Sequence, residues 1–390
     1  MISIPVRVPG QSYEVLLDDG LLSRAAGAIA ERLGAPRIVV VADDKVLEPH
    51  ASILIKGLQR DGLTVAVTAI TASEELKTLA TVERLYQFFS DQRLDRSGLV
   101  IALGGGLVGD VAGFAAATWM RGVPLVQAPT TLLAMVDASI GGKTAVNIAT
   151  APRGDQSGGQ SGGPAGRPLL KNMVGAFWQP SAILADPKTL RTLPARELRA
   201  GLAECVKHAI IAEPELLAYI EEHHRAIVAL ESPQLGELLR RSIAIKARIV
   251  GEDPTERGQR ALLNLGHTFA HAIEPIAELG LNHGEAVAIG LCAAAHLAAS
   301  RHGFPSADVG RIERVLASIG LPTRLPAADS HLSTAVPRLL EAMGHDKKHH
   351  AGSLRLILPK AIGSVEIVEG VSHAAIAAAW RIVGAESRSS

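Results

Sequence analysis

The 390-residue chain has two cysteines, Cys205 and Cys292, and its aromatic side chains amount to only 3%. Two thiols cannot build a disulfide framework, so a reducing compartment, the cytoplasm, is the simplest expected setting. The opening Met1-Ile2-Ser3-Ile4-Pro5 has neither the basic start nor the long apolar run of a secretory signal. Scarce aromatics exclude a base-stacking platform and require a core of Ala, Val, Leu and Ile. Charge of one sign is also missing. Lys plus Arg and Asp plus Glu number 39 each, which removes the electrostatic case for nucleic acid or an anionic membrane as partner. No apolar run reaches the roughly 20 residues of a membrane span, and no solenoid-length repeat is visible. The expectation is a soluble protein of two or three domains acting on a small molecule.

The first half alternates β-rich runs, Ile38-Val39-Val40-Val41, Leu63 to Val67 and Leu99 to Leu103, with helix-like segments, which predicts a parallel sheet covered by helices. Ile2 to Val8 and Tyr13 to Leu17 read as a hairpin around Pro9-Gly10. From about residue 188 to Leu340 apolar-periodic segments replace the strands, so the second domain should be mostly helical. A late hairpin, Ser353 to Leu358 with Ser364 to Val368, precedes a last helix. Residues 148–168 hold six glycines and three prolines and little to bury, and they read as a flexible loop.

Leu99 to Leu103 runs straight into Gly104-Gly105-Gly106-Leu107-Val108-Gly109-Asp110 and a helix-like stretch to Met120. This is G-x-G-x-x-G in strand-turn-helix context, where glycines let a pyrophosphate approach the free N–H groups of a helix start. The same glycines would also suit tight strand–helix packing. The loop sits at the fourth strand-like run and no acidic residue ends the next strand, Leu125 to Ala128, which disfavours a Rossmann domain of the usual kind. Asp43 or Asp44 could supply the ribose carboxylate, with Glu74 and Lys77 on the next unit, or serve as turn and cap residues.

His267 and His271, four apart, share one helix face, and His283 follows in Asn282-His283-Gly284-Glu285. Glu204, Lys207 and His208 share a face of another helix. Two of the three histidines with a carboxylate would hold a divalent metal and leave a position open, and spacing does not say which two. Cys205 and Cys292 lie in apolar stretches and read as buried thiols. Arg121, Lys143, Lys171-Asn172, Lys246 and Lys347-Lys348 together would suit a polyanionic ligand, although each alone is an ordinary surface charge.

In combination, Gly104 to Asp110, Pro129 to Leu133, Asp137 to Asn147, Lys171 to Pro180, Leu193 to Lys207, Asn264 to Glu274 and His283-Gly284-Glu285 resemble the 3-dehydroquinate synthase family of sugar phosphate cyclases. The resemblance implies an NAD-binding α/β domain over 1–187, with 148–168 as an insertion, and a mostly helical metal- and substrate-binding domain over 188–390. It implies Glu204, His267 and His283 as ligands of one divalent metal, zinc first and cobalt as the other candidate, with His271 in proton transfer. It places NAD on Asp43, Glu74, Lys77, Gly105, Gly106, Leu107, Val108, Gly109, Asp110, Thr130, Thr131, Lys143, Lys171, Thr189, Leu190, Arg191 and Thr192. The substrate, a phosphorylated sugar acid, falls to Arg121, Asp137, Lys143, Lys207, Lys246, Arg260, Asn264 and Lys347 or Lys348. The implied reaction is transient oxidation by NAD, β-elimination of phosphate, re-reduction and aldol closure, overall a carbon–oxygen lyase. A homodimer with Arg121 reaching the neighbouring active site is implied as well.

Two departures from the family pattern stand out. Asn147 is followed by Ile148 and the glycine-rich stretch where the family has a His and soon Lys-Asn, so Lys171 is expected to be less rigidly placed. Ser73 stands where a Gly commonly precedes the Glu of the cofactor loop. The rival readings are a metal-dependent alcohol or glycerol-phosphate dehydrogenase and another sugar phosphate cyclase.

Overall fold

A computed structural model describes residues 1–24, 26–149, 169–326, 335–347 and 354–386. Most of the glycine-rich stretch, 150–168, and Lys348 lie outside the described residues. The chain divides into two units, Met1–Pro194 with Lys246–Thr255 and Ala195–Ile245 with Glu256–Ser390.

The first unit opens with β1 (Ile2–Val8) and β2 (Gln11–Leu17), the expected hairpin. Then come α1 (Ala26–Arg32), β3 (Arg37–Asp43), α2 (Ser52–Arg60), β4 (Thr64–Ile70), α3 (Leu79–Asp91), β5 (Leu99–Gly104), α4 (Gly106–Thr118) and β6 (Leu125–Pro129). β7 (Lys143–Ala149), β8 (Leu169–Phe177) and β9 (Ala182–Ala185) complete the unit's strands. A seven-stranded sheet has the order β1-β2-β9-β6-β5-β3-β4, parallel throughout except for the β1–β2 pair. Strand alternation sorts its side chains onto two faces. Ile38, Val40, Ala42, Leu99, Ile101 and Leu103 join a core with Leu54 and Leu58 of α2. Val39, Val41, Val100 and Ala102 join another with Val82, Leu85 and Phe89 of α3 and Val111 and Ala115 of α4. Both faces are covered, which is why these strands read as unbroken β-branched runs.

Among β3, β4, β5, β6 and β9, leaving aside the β1–β2 hairpin, the order is second, first, third, fourth, fifth. The strand order reverses between β3 and β5, and a ligand crevice is expected outside the carboxyl ends of strands at such a point. Asp43 ends β3 and Gly104 ends β5. The glycine loop is therefore at the switch point although it does not follow the first strand, and the order differs from the 3-2-1-4-5-6 of a usual Rossmann domain.

β7 and β8 form a separate antiparallel hairpin, which the sequence did not announce because its strands are 19 residues apart. Thr144, Val146, Val174 and Ala176 turn inward, the last three against the core that holds α4. Gly175 is required at this crossing, because a Cβ there would lie 2.1 Å from the Thr144 carbonyl oxygen.

The second unit contains α5 (Ala195–Ala212), α6 (Pro214–Val228), most of α7 (Ser232–Glu252), α8 (His267–Ile273), α9 (His283–His302), α10 (Ser306–Ser318) and α11 (Val336–Lys347). It closes with the hairpin β10 (Leu356–Ala361) and β11 (Ser364–Val368), and then α12 (His373–Ile382). β10 starts later than expected and runs through Pro359, which a two-stranded hairpin tolerates because both strands are edges. α9 is buried nearly all round, from Gly284 to Ala298. Its small residues, Gly284, Ala286, Ala288, Gly290 and Ala293 to Ala295, let its neighbours approach closely.

The unit boundary falls at Pro194 and not at 187/188. Pro187–Thr192 forms a 3₁₀ turn with Leu190 fully buried, and Asp186 caps it. The same carboxylate accepts the backbone N–H groups of Gly20 at 2.8 Å and Leu22 at 3.1 Å, which keeps the turn with the first unit. Lys246–Thr255 also belong there, although α7 runs unbroken and its periodicity marks no division. No described helix is long and apolar enough to cross a membrane.

Candidate active site

In the first unit the glycine loop ends β5, Gly105 is the N-cap of α4, and Gly106 starts the helix. A Cβ on Gly104 would lie 2.8 Å from Val108 Cγ2 and 3.3 Å from Asp43 Cβ, and one on Gly106 2.9 Å from Ala138 Cβ. The loop is a cradle that side chains would fill, with the N–H groups of the first turn of α4, from Gly106 to Gly109, at its base. Gly109 lies against Gln127, 2.8 Å from its Oε1 to a Cβ placed there. Asp43 is buried and caps a short turn by accepting the Lys45 N–H at 3.1 Å, and burial holds its carboxyl above the usual range. Asp44 is exposed and accepts the Thr71 hydroxyl at 2.8 Å. Asp43 therefore has the expected cap role and in addition stands at the switch point.

Lys77 is buried and donates at 2.5 Å to both Asp110 Oδ2 and Asn172 Oδ1. Asn147 donates to the Glu74 carboxylate at 2.8 Å. The structure thus joins Glu74, Lys77 and Asp110 through two asparagines that sequence reasoning had not put to this use. Thr130 is buried and Thr131 borders Gly105. Thr189, Leu190, Arg191 and Thr192 lie in the 3₁₀ turn, where Thr192 Oγ1 is 2.7 Å from the buried ring of His50. His50 also went unnoticed in the sequence. Lys143 and Lys171 sit on the exposed outer part of the β7–β8 hairpin. Both lie on strands of the hairpin, and Lys171 falls between Leu170 and Val174, where the β7–β8 register shifts. Lys246, buried, donates to Asp137 Oδ1 at 2.5 Å. Arg121 is exposed at the end of a short turn, with φ +69°.

In the second unit Glu204 of α5 is fully buried, and the Nε2 atoms of His267 and His283 both point to its Oε1 at 3.6 Å. Zinc–ligand bonds of about 2.0–2.2 Å in a tetrahedron separate ligand atoms by about 3.3–3.6 Å, so each nitrogen stands from the carboxylate oxygen at the spacing an ion would impose. The outer nitrogens are already committed. His267 Nδ1 faces the Leu265 carbonyl at 3.1 Å and His283 Nδ1 the Glu274 carboxylate at 3.0 Å, which aims both Nε2 atoms inward. Burial works against a charge on His283, but the carboxylates of Glu204 and Glu274 outweigh it and raise its pKa to about 10. Burial, with the Lys207 ammonium, pushes His267 down to about 3. Lys207, one turn along α5, pairs with Glu204. A buried carboxylate ringed by an ammonium and a protonatable imidazole is a place built for positive charge, and the donor set fits a divalent metal.

The helix starts explain why the ligands meet. Asn282 accepts the Glu285 N–H at 3.0 Å and Glu285 accepts the Asn282 N–H at 2.9 Å, a capping box that makes His283 the first residue of α9. Gly266, with φ +78°, is the N-cap before His267 at the start of α8, a left-handed turn without a side-chain cap. His271 is one turn further along α8 and exposed, its ring 5.6 Å from that of His267, and the converging group is Glu204, His267 and His283 without it. Arg260 is buried nearby in sequence, and Asn264 donates to Glu256 at 3.0 Å. Lys347 closes α11, and Lys348 falls outside the described residues. Cys205 and Cys292 are buried, and burial raises the Cys292 thiol pKa. Glu274 carried no usable signal, since a carboxylate nine residues before a histidine obeys no local period.

Two family models match the chain, that of the 3-dehydroquinate synthase N-terminal part over 67–152 and 157–200 and that of its C-terminal part over 201–349. A protein named 3-dehydroquinate synthase from Desulforamulus reducens is 40% identical over 97% of this chain and 99% of its own. The chain belongs to the 3-dehydroquinate synthase family. Solved relatives of the family agree with the fold. The 2-epi-5-epi-valiolone synthase ValA from Streptomyces hygroscopicus subsp. jinggangensis 5008, solved with NAD+ and Zn2+ bound, is 30% identical with a TM-score of 0.83, covering 96% of this chain and 98% of that one. A 2-deoxy-scyllo-inosose synthase complexed with carbaglucose-6-phosphate, NAD+ and Co2+ is 25% identical with a TM-score of 0.83, covering 98% and 100%. The 3-dehydroquinate synthase N-terminal model breaks off at 152 and resumes at 157, inside the glycine-rich stretch.

Proposed function

We infer that this chain converts 3-deoxy-D-arabino-heptulosonate 7-phosphate to 3-dehydroquinate and phosphate. The observation that carries the reading is the 40% identity over nearly the full length of a protein named for that activity. The cyclases with other products are more distant, at 30% and 25%. The reaction is a phosphate-eliminating carbon–oxygen lyase with no net redox change. When bound, NAD supplies a reversible hydride acceptor and the divalent metal a Lewis acid for the alcohol being oxidised.

The glycine cradle and the start of α4 receive the pyrophosphate, Asp43 the ribose, and Glu74, Lys77, Thr130, Thr131 and the turn Thr189–Thr192 the rest of the dinucleotide. Glu204, His267 and His283 hold the metal, zinc or cobalt. His271 Nε2 or Nδ1 moves the proton, while Lys143, Lys171, Lys207, Lys246, Arg121, Arg260, Asn264, Asp137 and Lys347 or Lys348 bind the carboxylate, phosphate and hydroxyls. The fixed cations offer charge that the substrate's two anionic groups need. In this reading Met1–Pro194 with Lys246–Thr255 is the dinucleotide half and Ala195–Ile245 with Glu256–Ser390 the metal half.

Purified protein given this substrate and NAD should release phosphate with no lasting absorbance at 340 nm. Stoichiometric NADH accumulation would instead establish the dehydrogenase rival.

The cytoplasm is the proposed location, and a homodimer the proposed assembly. Ile148, Leu170, Met173 and Phe177 on the β7–β8 hairpin and Leu76 and Leu79 beside it are exposed, an apolar group that a second copy would cover. Light scattering at micromolar concentration should give twice the chain mass of 40.8 kDa. A monomer mass would reject the dimer, and complementation between Arg121→Ala and His271→Ala chains would test whether Arg121 acts across it.

A further inference from the structure

We propose that Asn147 is a positioning residue of the dinucleotide subsite, locking the Glu74–Lys77 loop to the β7–β8 hairpin; this rests on the NAD-dependent reading above. Asn147 is 2% exposed, and its N–H and both polar atoms of its side chain are engaged with that loop or that hairpin. Its backbone N–H donates to the Lys77 carbonyl at 2.7 Å. Its side-chain Nδ2 donates to the Glu74 carbonyl at 2.9 Å and to Glu74 Oε2 at 2.8 Å, and its Oδ1 accepts the Asn172 N–H at 2.9 Å. The amide orientation follows from the partners, since two of them can only accept and the third can only donate.

The strand pairing shows why an asparagine is needed there. From Val146 to Ile148 on β7 the partner runs from Val174 back to Leu170, so the hairpin bulges opposite Asn147. A bulge leaves backbone groups without ladder partners and re-aims side chains. Asn147 takes the N–H that the ladder cannot, and Asn172, with φ +57°, turns its own amide oxygen to Lys77 Nζ at 2.5 Å. Lys77 in turn reaches Asp110 on α4 at 2.5 Å. One side chain therefore sets both the Glu74 carboxylate and, through Asn172, the Lys77 ammonium. It also fixes Lys171-Asn172 just after the glycine-rich stretch, so that the length of that stretch need not disturb them. An aspartate would lose the donor to Glu74, and a shorter residue would lose all three side-chain bonds.

The test uses full-length, zinc-loaded protein and NAD+ binding by calorimetry, which needs no turnover. Asn147→Ala should raise the Kd for NAD+ at least tenfold, with metal content unchanged and the loss in KM for NAD+ exceeding the loss in kcat. Asn147→Asp should be at least as damaging, because two carboxylates then face each other. Adding Glu74→Gln restores a donor–acceptor pair of the same size, and NAD+ affinity should recover at least fivefold relative to the product of the single effects. A folded Asn147→Ala variant that binds NAD+ within twofold of the parent overturns the proposal. So does simple multiplication of the Asn147→Asp and Glu74→Gln penalties, which decides the matter if Asn147→Ala does not fold. If the parent binds NAD+ but releases no phosphate, the reaction assignment fails while these binding results still stand.

Discussion

Replacing His267 with alanine should strip the protein of its divalent metal and lower turnover about a thousandfold or more. Three protein ligands leave an open position and no spare, so loss of one leaves a two-point site of weak affinity. The Lewis-acid contribution is worth several kcal/mol, and about 4 kcal/mol corresponds to three orders of magnitude in rate. Truncation removes more than a ligand atom, because it opens a gap beside the fully buried Glu204. His283→Ala should behave in the same way. His271→Ala should keep the metal and lose rate, since its ring is exposed and stands outside the group formed by Glu204, His267 and His283. Metal content by elemental analysis decides between them. If His271→Ala lost the metal and His283→Ala retained it, the ligand assignment would be wrong.

Gly284→Ala should weaken the metal site with all three ligands still present. A Cβ at 284 would lie 2.3 Å from both Cα and the carbonyl oxygen of Ala200 on α5, a backbone contact that no rotamer change relieves. Overpacking of this kind costs about 1–3 kcal/mol even after the helices part. The parting matters more than the energy. Ala200 is one turn before Glu204, and Gly284 adjoins His283, so separating α5 from α9 lengthens the ligand spacing of 3.6 Å directly. We expect metal affinity to drop at least tenfold and the melting temperature to fall. Gly236→Ala on α7 is the control, for nothing lies within 4 Å of a Cβ there. It should leave metal content alone and stabilise the helix by about 0.5–1 kcal/mol. Equal metal content in the two variants would show that the close α5–α9 approach is not what holds the site.

The local parts of this protein were legible along the chain. Val39 to Val41 and Leu99 to Leu103 are β-branched or aliphatic runs too apolar for an exposed strand, and the change of period near residue 188 separates α/β from helical architecture. Gly104 to Asp110 and His267 with His271 are short-range patterns, so their spacing carried chemistry before any fold was known. What spacing left open was which histidines act together. His267 and His271 share a helix face, yet the ligand spacing is met by His267 and His283, because capping at Gly266 and Asn282 aims two helix starts at one buried carboxylate on α5. Glu274 behind His283, Asn147 beneath Glu74 and Asp186 under Gly20 were equally silent, since each acts across a loop whose length obeys no period. That the glycine loop stands at the switch point was silent for the same reason. Sequence counts strands in order, whereas a ligand crevice depends on which strands are neighbours, and that neighbourhood is set by long-range pairing of β3 with β5 that local propensity does not encode.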